Sequence, residues 1–275
     1  MSKRRFAFPY YIWMIIFIIV PLLLIIYYTF TDDSSGTVKL TFNNIKAIFD
    51  PLYLKVIWRS VYMSLIATVV CLVLGYPAAM ILSNRDFSRK STMLILIVLP
   101  MWMNFLLRTY SWLSLLENEG LINQFLGWLG LPQANLMYNN FAVILGMVYN
   151  FLPFMILPVY SVLVKIDKNV VEAAKDLGGN NLVVFRRIIL PLSTPGIISG
   201  ITMTFMPALS TFVISRLLSG GKISLIGNII EQQFTVTGNW GFGSALSLFL
   251  MILIFVSMIF INKYGDESVG GGGLL

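Results

Sequence analysis

The feature that most restricts this chain is a series of apolar stretches, each about as long as a lipid bilayer is thick. From Tyr10 to Phe30 there is no charged residue at all. About 20 helical residues cross the hydrocarbon core, because an α-helix rises about 1.5 Å per residue. Five further stretches reach that length: Ser60 to Leu82, Thr92 to Leu116, Asn140 to Val164, Pro195 to Leu218 and Gly243 to Ile261. The expected fold is all-α and polytopic, with six membrane helices. Only 11% of the 275 residues are charged and 57% are hydrophobic, whereas a soluble domain carries about 25% charged residues. A water-soluble fold of this length could not hide so much hydrocarbon, and a mean hydropathy of +0.83 says the same.

No helix-length polar region divides the chain, so residues 1–264 read as one membrane domain. Residues 265–275, with four consecutive glycines, read as a flexible tail. Lys3, Arg4 and Arg5 before an apolar run resemble a signal peptide. The run is about twice a signal core, however, and Tyr27-Tyr28-Thr29-Phe30 is a poor cleavage site, so a retained first helix is expected.

Lysine and arginine set the orientation. Lys3, Arg4, Arg5, Arg85, Arg89, Lys90, Lys165, Lys168, Lys175, Arg186, Arg187 and Lys263 fall on the side of the N-terminus, twelve against seven. The seven are Lys39, Lys46, Lys55, Arg59, Arg108, Arg216 and Lys222. This bias puts both termini in the cytoplasm. It also accounts for the net charge of +7 as an orientation signal, with no nucleic-acid partner implied. Three outer loops follow: one from Thr31 to about Arg59, one with Glu117, Glu119 and a short interfacial helix over Leu121 to Leu131, and one from Ser219 to Trp240 with a re-entrant or surface helix over Ile223 to Phe234.

The chain has no histidine and one cysteine, Cys71. An intrachain disulfide, histidine catalysis and a zinc site are thereby excluded. An intramembrane serine or zinc protease needs histidine, and an aspartyl protease needs two membrane aspartates that no span supplies. No Gly-x-x-x-x-Gly-Lys-Ser/Thr run occurs, so the chain hydrolyses no ATP itself. Ion-coupled secondary transport, the main rival, needs an ionisable cluster inside the membrane, for which the spans offer few residues.

The informative stretch is the inner loop at about 165–191, KIDKNVVEAAKDLGGNNLVVFRRIILP. Asp167 or Asn169 caps a short helix. Val170, Val171, Ala174 and Leu177 share a face, and Gly178 or Gly179 ends the helix in a left-handed turn. Asn180 or Asn181 caps a second helix, and Pro191 and Pro195 break or redirect it. Such a helix–glycine–helix also serves as an ordinary solvated connector.

Glu172, Ala173, Ala174, Gly178, Ile188, Leu190 and Pro191 stand at the spacing of the Glu-Ala-Ala signature of ABC importer permeases. The stretch therefore resembles that family. The resemblance implies a type I importer permease fold and a helix that docks on a cytoplasmic ATPase. Glu172, Ala173, Ala174, Asp176, Gly178 and Pro191 are then the coupling residues: Glu172 meets basic groups and Gly178 permits the turn. It also implies a heterodimer with a second permease, a cytoplasmic ATPase dimer holding ATP and Mg, and an extracytoplasmic binding protein. No cofactor would sit on this chain, and the location would be a bacterial inner membrane. Asp50-Pro51-Leu52-Tyr53, Leu74-Gly75-Tyr76-Pro77, Leu152 to Pro158 and Pro195-Gly196-Ile197-Ile198 resemble the first permease subunits of spermidine/putrescine importers. Importers of ferric iron, thiamine or aminophosphonates share the fold.

Candidates for the substrate path lie on three spans. Thr204, Pro207, Thr211 and Ser215 share one helical face, and Pro207 frees a backbone carbonyl. Asn150 lies mid-span, and Trp102, Asn104, Tyr110 and Glu117 lie on or just beyond the third span. Serine and threonine often bond back to their own helix, and proline kinks are ordinary in membranes. Arg108 is expected to snorkel outward or to pair with Glu117 or Glu119. No carboxylate lies near the centre of any span. A polyamine must therefore find aromatic faces, the outer carboxylates Glu117, Glu119 and Glu231, or acids on the second permease.

Overall fold

The computed structural model describes residues 4–32, 39–83 and 90–270. Lys3, Arg85 and Arg89 of the orientation set, and residues 271–275 of the tail, lie outside the described residues. Helix α1 covers residues 4–29. A short antiparallel pair, β1 (Thr31–Asp32) with β2 (Lys39–Leu40), follows it, an addition to the expected all-α fold. Then come α2 (Asn43–Ile48), α3 (Pro51–Ser83), α4 (Lys90–Trp102), α5 (Phe105–Leu116), α6 (Leu121–Trp128), α7 (Asn140–Leu163) and α8 (Lys168–Asp176). The chain continues through α9 (Asn181–Ser210), α10 (Val213–Leu218), α11 (Ile226–Gln232) and α12 (Trp240–Gly270).

Five helices are long and apolar enough to cross a membrane, or six if α4 with α5 and α6 is one bent span. The third expected span is thus not one rod. It breaks after Trp102 and bends by 99°. Asn104 explains the break: its side-chain oxygen accepts from the N–H of Leu106 (2.8 Å) and Leu107 (3.4 Å), so it starts a new helix. The second span is longer than expected. It begins at Pro51, where the Asp50 carboxylate caps Leu52 N–H at 2.9 Å, and carries Lys55 and Arg59 within the helix. The fifth span also begins earlier, at Asn181, and stops at Ser210 short of Leu218; Thr211 is extended (φ −65°, ψ 140°) and α10 starts afresh. Helix α12 runs on to Gly270, into the segment expected as tail, since each further residue closes another backbone hydrogen bond.

Pro191 and Pro195 do not break the chain as expected. A π-helical turn over Phe185–Ile189 precedes Leu190 and Pro191, with Leu190 N–H donating to Phe185 O. The same device stands in α1, where the π turn Ile15–Ile19 precedes Val20 and Pro21. The wider turn reorganises the ladder just ahead of a residue that has no N–H to give, and the helix continues.

Helices α3, α7 and α9 form the centre. In α7, 61% of the membrane-length window is buried, against 6% in α1, so α7 is the axis and α1 a peripheral rod. Antiparallel α7 and α9 meet along a glycine seam. A Cβ on Gly196 would lie 3.0 Å from the Pro158 carbonyl oxygen, and one on Gly200 2.7 Å from Met155 Sδ. Small residues permit such close backbone approach in lipid, where packing replaces the hydrophobic drive. A second cluster, with Ile48, Phe205, Leu209, Phe242 and Leu246, joins α9 to α2 and α12.

Replacing Gly196 by Val forces a branched side chain into this seam, whose nearest obstacle is backbone. The substitution is expected to cost about 1–3 kcal/mol and to lower the thermal midpoint of the detergent-extracted protein. An unchanged midpoint would show that the seam is loose.

Candidate functional site

At the C-terminal end of α7 the chain turns into α8, and the alternatives left by the sequence resolve. Asp167, not Asn169, is the N-cap: its carboxylate accepts from Asn169 N–H at 3.0 Å. Gly178 takes the left-handed conformation (φ +82°). Its N–H donates to Lys175 O at 2.9 Å and that of Gly179 to Ala174 O at 3.0 Å, the paired bonds of a Schellman turn. Both glycines are needed, for different reasons. Gly178 needs the backbone freedom, while a Cβ on Gly179 would lie 2.6 Å from Ala174 O. Asn180 then caps α9, accepting from Val183 N–H at 2.9 Å.

This helix–turn–helix is tied to the bundle from one side only. No residue of α8 is buried. Glu172, Ala173, Asp176, Gly178 and Pro191 are exposed, and Val171 and Ala174 are half-buried. Leu177, expected to share a face with Val170, Val171 and Ala174, is 89% exposed, and Leu182 and Val183 across the turn are exposed as well. Behind α8 lies a cavity of ≈ 570 Å³ whose walls include Met80, Leu163, Val171, Glu172, Phe185 and Ile189. The foot of α9 is anchored beside it by a hydrogen bond between Tyr76 OH and Ser193 Oγ (2.9 Å) and by the edge contact of the Tyr76 and Phe185 rings. The tip thus presents acidic and apolar groups to the outside, on an element with no core of its own.

The nine path candidates do not converge on one site. Trp102 (84% exposed), Asn104, Tyr110 and Glu117 are on the surface, while Asn150, Thr204, Thr211 and Ser215 are buried and Pro207 is half-buried. Asn104 is engaged as a helix cap. Ser215 donates to Asn228 Oδ1 at 2.5 Å. The common face of Thr204 to Ser215 is lost at the break after Ser210. Asn150 donates to Gly146 O at 2.8 Å, and neither its own side-chain oxygen nor the Thr204 hydroxyl has a hydrogen-bond partner among the described residues. Met155 against Gly200 and Val159 against Gly196 fix the register of α7 on α9, so Phe151 and Thr204 stand at one level.

Arg108 contradicts its expected placing. It is 8% exposed, pairs with neither Glu117 nor Glu119, and its Nε and Nη1 have no hydrogen-bond partner among the described residues. Glu231 is already engaged: both its oxygens accept from Arg216, at 2.8 and 3.1 Å. The residue that the sequence did not reveal is Asn228. It donates to Phe212 O at 2.8 Å and accepts from Leu225 N–H and Ser215 Oγ, which stitches the broken end of α9 to α11. Its only signal was a lone polar residue in an apolar loop.

The fold and the α8 turn define a polytopic membrane component of a transport system. The chain belongs to the family of binding-protein-dependent transport system inner membrane components, whose profile matches residues 1–266. It is 41% identical over 266 residues to the spermidine/putrescine transport system permease protein PotB of Haemophilus influenzae, with 94% of this chain and 93% of that one covered. With PotB of Escherichia coli it shares 42% over 247 residues, covering 88% and 90%. Its fold matches that of a bacterial ABC transporter involved in the import of the acidic polysaccharide alginate, with a TM-score of 0.81, 16% identity and 96% and 94% coverage. At that identity the likeness is one of fold. The chain is thus a multi-pass inner-membrane permease of the ABC importer class, a non-catalytic component.

Gly178→Val places a branched residue at φ +82° and is expected to destabilise the end of α8 by about 1–3 kcal/mol. Amide exchange over 168–179 should quicken accordingly, and Gly178→Asn should be milder. Equal protection in wild type and Val variant would refute the turn argument.

Proposed function

We propose that this chain is one of two permease subunits of an ATP-driven polyamine importer, with both termini in the cytoplasm. The observation that carries the cargo is its 41–42% identity, over about nine-tenths of its length, with spermidine/putrescine permeases. The second permease, a cytoplasmic ATPase dimer and an extracytoplasmic binding protein complete the assembly. The chain forms one domain over residues 1–264, with its coupling segment at about 165–191.

In this reading α8 is the coupling helix. Asp167 and the Gly178–Gly179 turn fix its two ends, so it moves as a unit. Glu172 and Asp176 offer carboxylates to basic groups of the ATPase, Leu177 fills an apolar hollow there, and Ala173 and Ala174 allow close approach. Pro191, behind the π turn, passes the movement into α9. ATP-dependent closure of the ATPases shifts α8 and changes the populations of inward- and outward-open states. Asn150 and Thr204, with bare oxygens at neighbouring levels, are the better candidates for contact with cargo; Trp102, Tyr110 and Glu117 belong at the surface mouth.

The test is uptake of labelled spermidine and putrescine into proteoliposomes holding the whole importer, with and without ATP on the ATPase side. ATP-dependent uptake is expected. Uptake of ferric iron, thiamine or an aminophosphonate in place of polyamines would keep the class and overturn the cargo; uptake driven by an ion gradient would overturn both. Leu177→Asp should cut ATP-driven uptake about tenfold or more, as loss of an interface anchor does, while leaving extraction and thermal stability unchanged because the residue is 89% exposed.

A further inference from the structure

Tyr138 is the one non-glycine residue among those described with a positive φ, +61°. That region is uncommon for a bulky side chain and persists where the surroundings impose it. The imposition is visible on both sides. Met137 before it is buried. Asn139 after it caps α7, accepting from Ala142 N–H at 2.9 Å. Tyr138 N–H itself donates to Leu218 O at 3.1 Å, across to the end of α10. The ring packs against Gly220 so closely that a Cβ there would lie 2.6 Å from its Cδ1. The ring is therefore held by backbone, and the residue is still 43% exposed.

Over this ring stands a cation. Lys222 Nζ lies 5.3 Å from the ring centroid, within the range of a cation–π interaction. Lys222 is exposed and makes no ion pair among the described residues, whereas nearby Arg216 is bound to Glu231. The lysine head is an ammonium on an alkyl stem, the same chemical group that ends a polyamine. The platform does not depend on it, because Gly220 and the Leu218 carbonyl fix the ring without its help. Helix α7 has 24 residues, so Tyr138 at one end stands about 36 Å from α8 at the other, on the side where cargo enters if α8 meets the ATPase.

We propose that the Tyr138 ring is a seat for a terminal alkylammonium group of the cargo, and that Lys222 occupies it as an intramolecular stand-in until the cargo displaces it. This rests on the polyamine reading above.

The experiment is equilibrium binding of labelled spermidine to the purified permease–ATPase complex without the binding protein. Lys222→Gln removes the competitor and should tighten binding roughly two- to fivefold, the worth of an exposed cation–π contact. Tyr138→Leu should weaken binding by a similar factor, and Tyr138→Phe should leave it unchanged. Loss of a lysine also relieves long-range repulsion, so the decisive variant is the double one: with Tyr138→Leu present, Lys222→Gln should no longer tighten binding. Lys222 is exposed, so its variant reports even if Tyr138→Leu fails to assemble. Weaker binding in Lys222→Gln, the same gain with and without the ring, or no saturable binding would each overturn the seat. ATP-driven spermidine uptake by the wild-type importer decides separately whether the polyamine reading stands.

Discussion

In hydrocarbon no water is present to satisfy a free N–H or C=O, and this governs where the chain departs from a straight helix. Each departure carries its own compensation. At the break after Trp102, Asn104 takes two N–H groups of the next helix. At the break after Ser210, Asn228 reaches over from α11 to cover Phe212 O; at the start of α11 itself it accepts from Leu225 N–H, and Ile226 N–H finds Ser60 Oγ at 2.8 Å. At Gly178 a Schellman pair closes the end of α8. Before Pro21 and Pro191 the ladder widens into a π turn and does not break. The bends are thus specific constructions, each dependent on one or two polar side chains or glycines.

The same constraint separates binding surfaces from packing surfaces. Seams between α3, α7 and α9 use glycine, and their buried serines and threonines mostly donate to carbonyls one turn back, as Ser60, Ser64 and Thr68 do. Such groups are spent on the fold. The buried polar atoms without a hydrogen-bond partner among the described residues, on Asn150, Thr202, Thr204 and Arg108, sit on α5, α7 and α9.

The number of spans and the helix–glycine–helix were legible because hydropathy over 20 residues and a cap–glycine–cap pattern are local signals. What was not legible was tertiary. Nothing in Thr92 to Leu116 says that Asn104 caps where it might bond back to its own helix. Nothing in Thr204 to Ser215 says that the helix stops at Ser210, because the residue that makes stopping affordable, Asn228, lies thirteen positions beyond Ser215. The bond of Glu231 to Arg216 spans fifteen positions and removes from solution a carboxylate that reads in sequence as free at the outer mouth. Leu177 shares a face with Val171 and Ala174, which are half-buried, yet α8 touches the bundle too lightly to bury it.

The arrangement of α8 and α9 has a mechanical consequence. Helix α9 runs unbroken from Asn181 to Ser210, 30 residues, or about 45 Å of rod. Its foot is held to α3 by the Tyr76–Ser193 bond, its middle runs along α7 through Gly196 and Gly200, and its far end meets the Asn228 clasp. The π turn Phe185–Ile189 lies between α8 and the first of these holds. A displacement of α8 therefore reaches α9 through its most adaptable turn and then passes a glycine seam whose backbones are already in contact. Met155 and Val162 of α7 seat their side chains against Gly200 and Gly196, so the seam holds register as well as contact. The motion this geometry admits most readily is therefore one of α7 and α9 together, which keeps Thr204 level with Phe151 and loads the clasp at the far end.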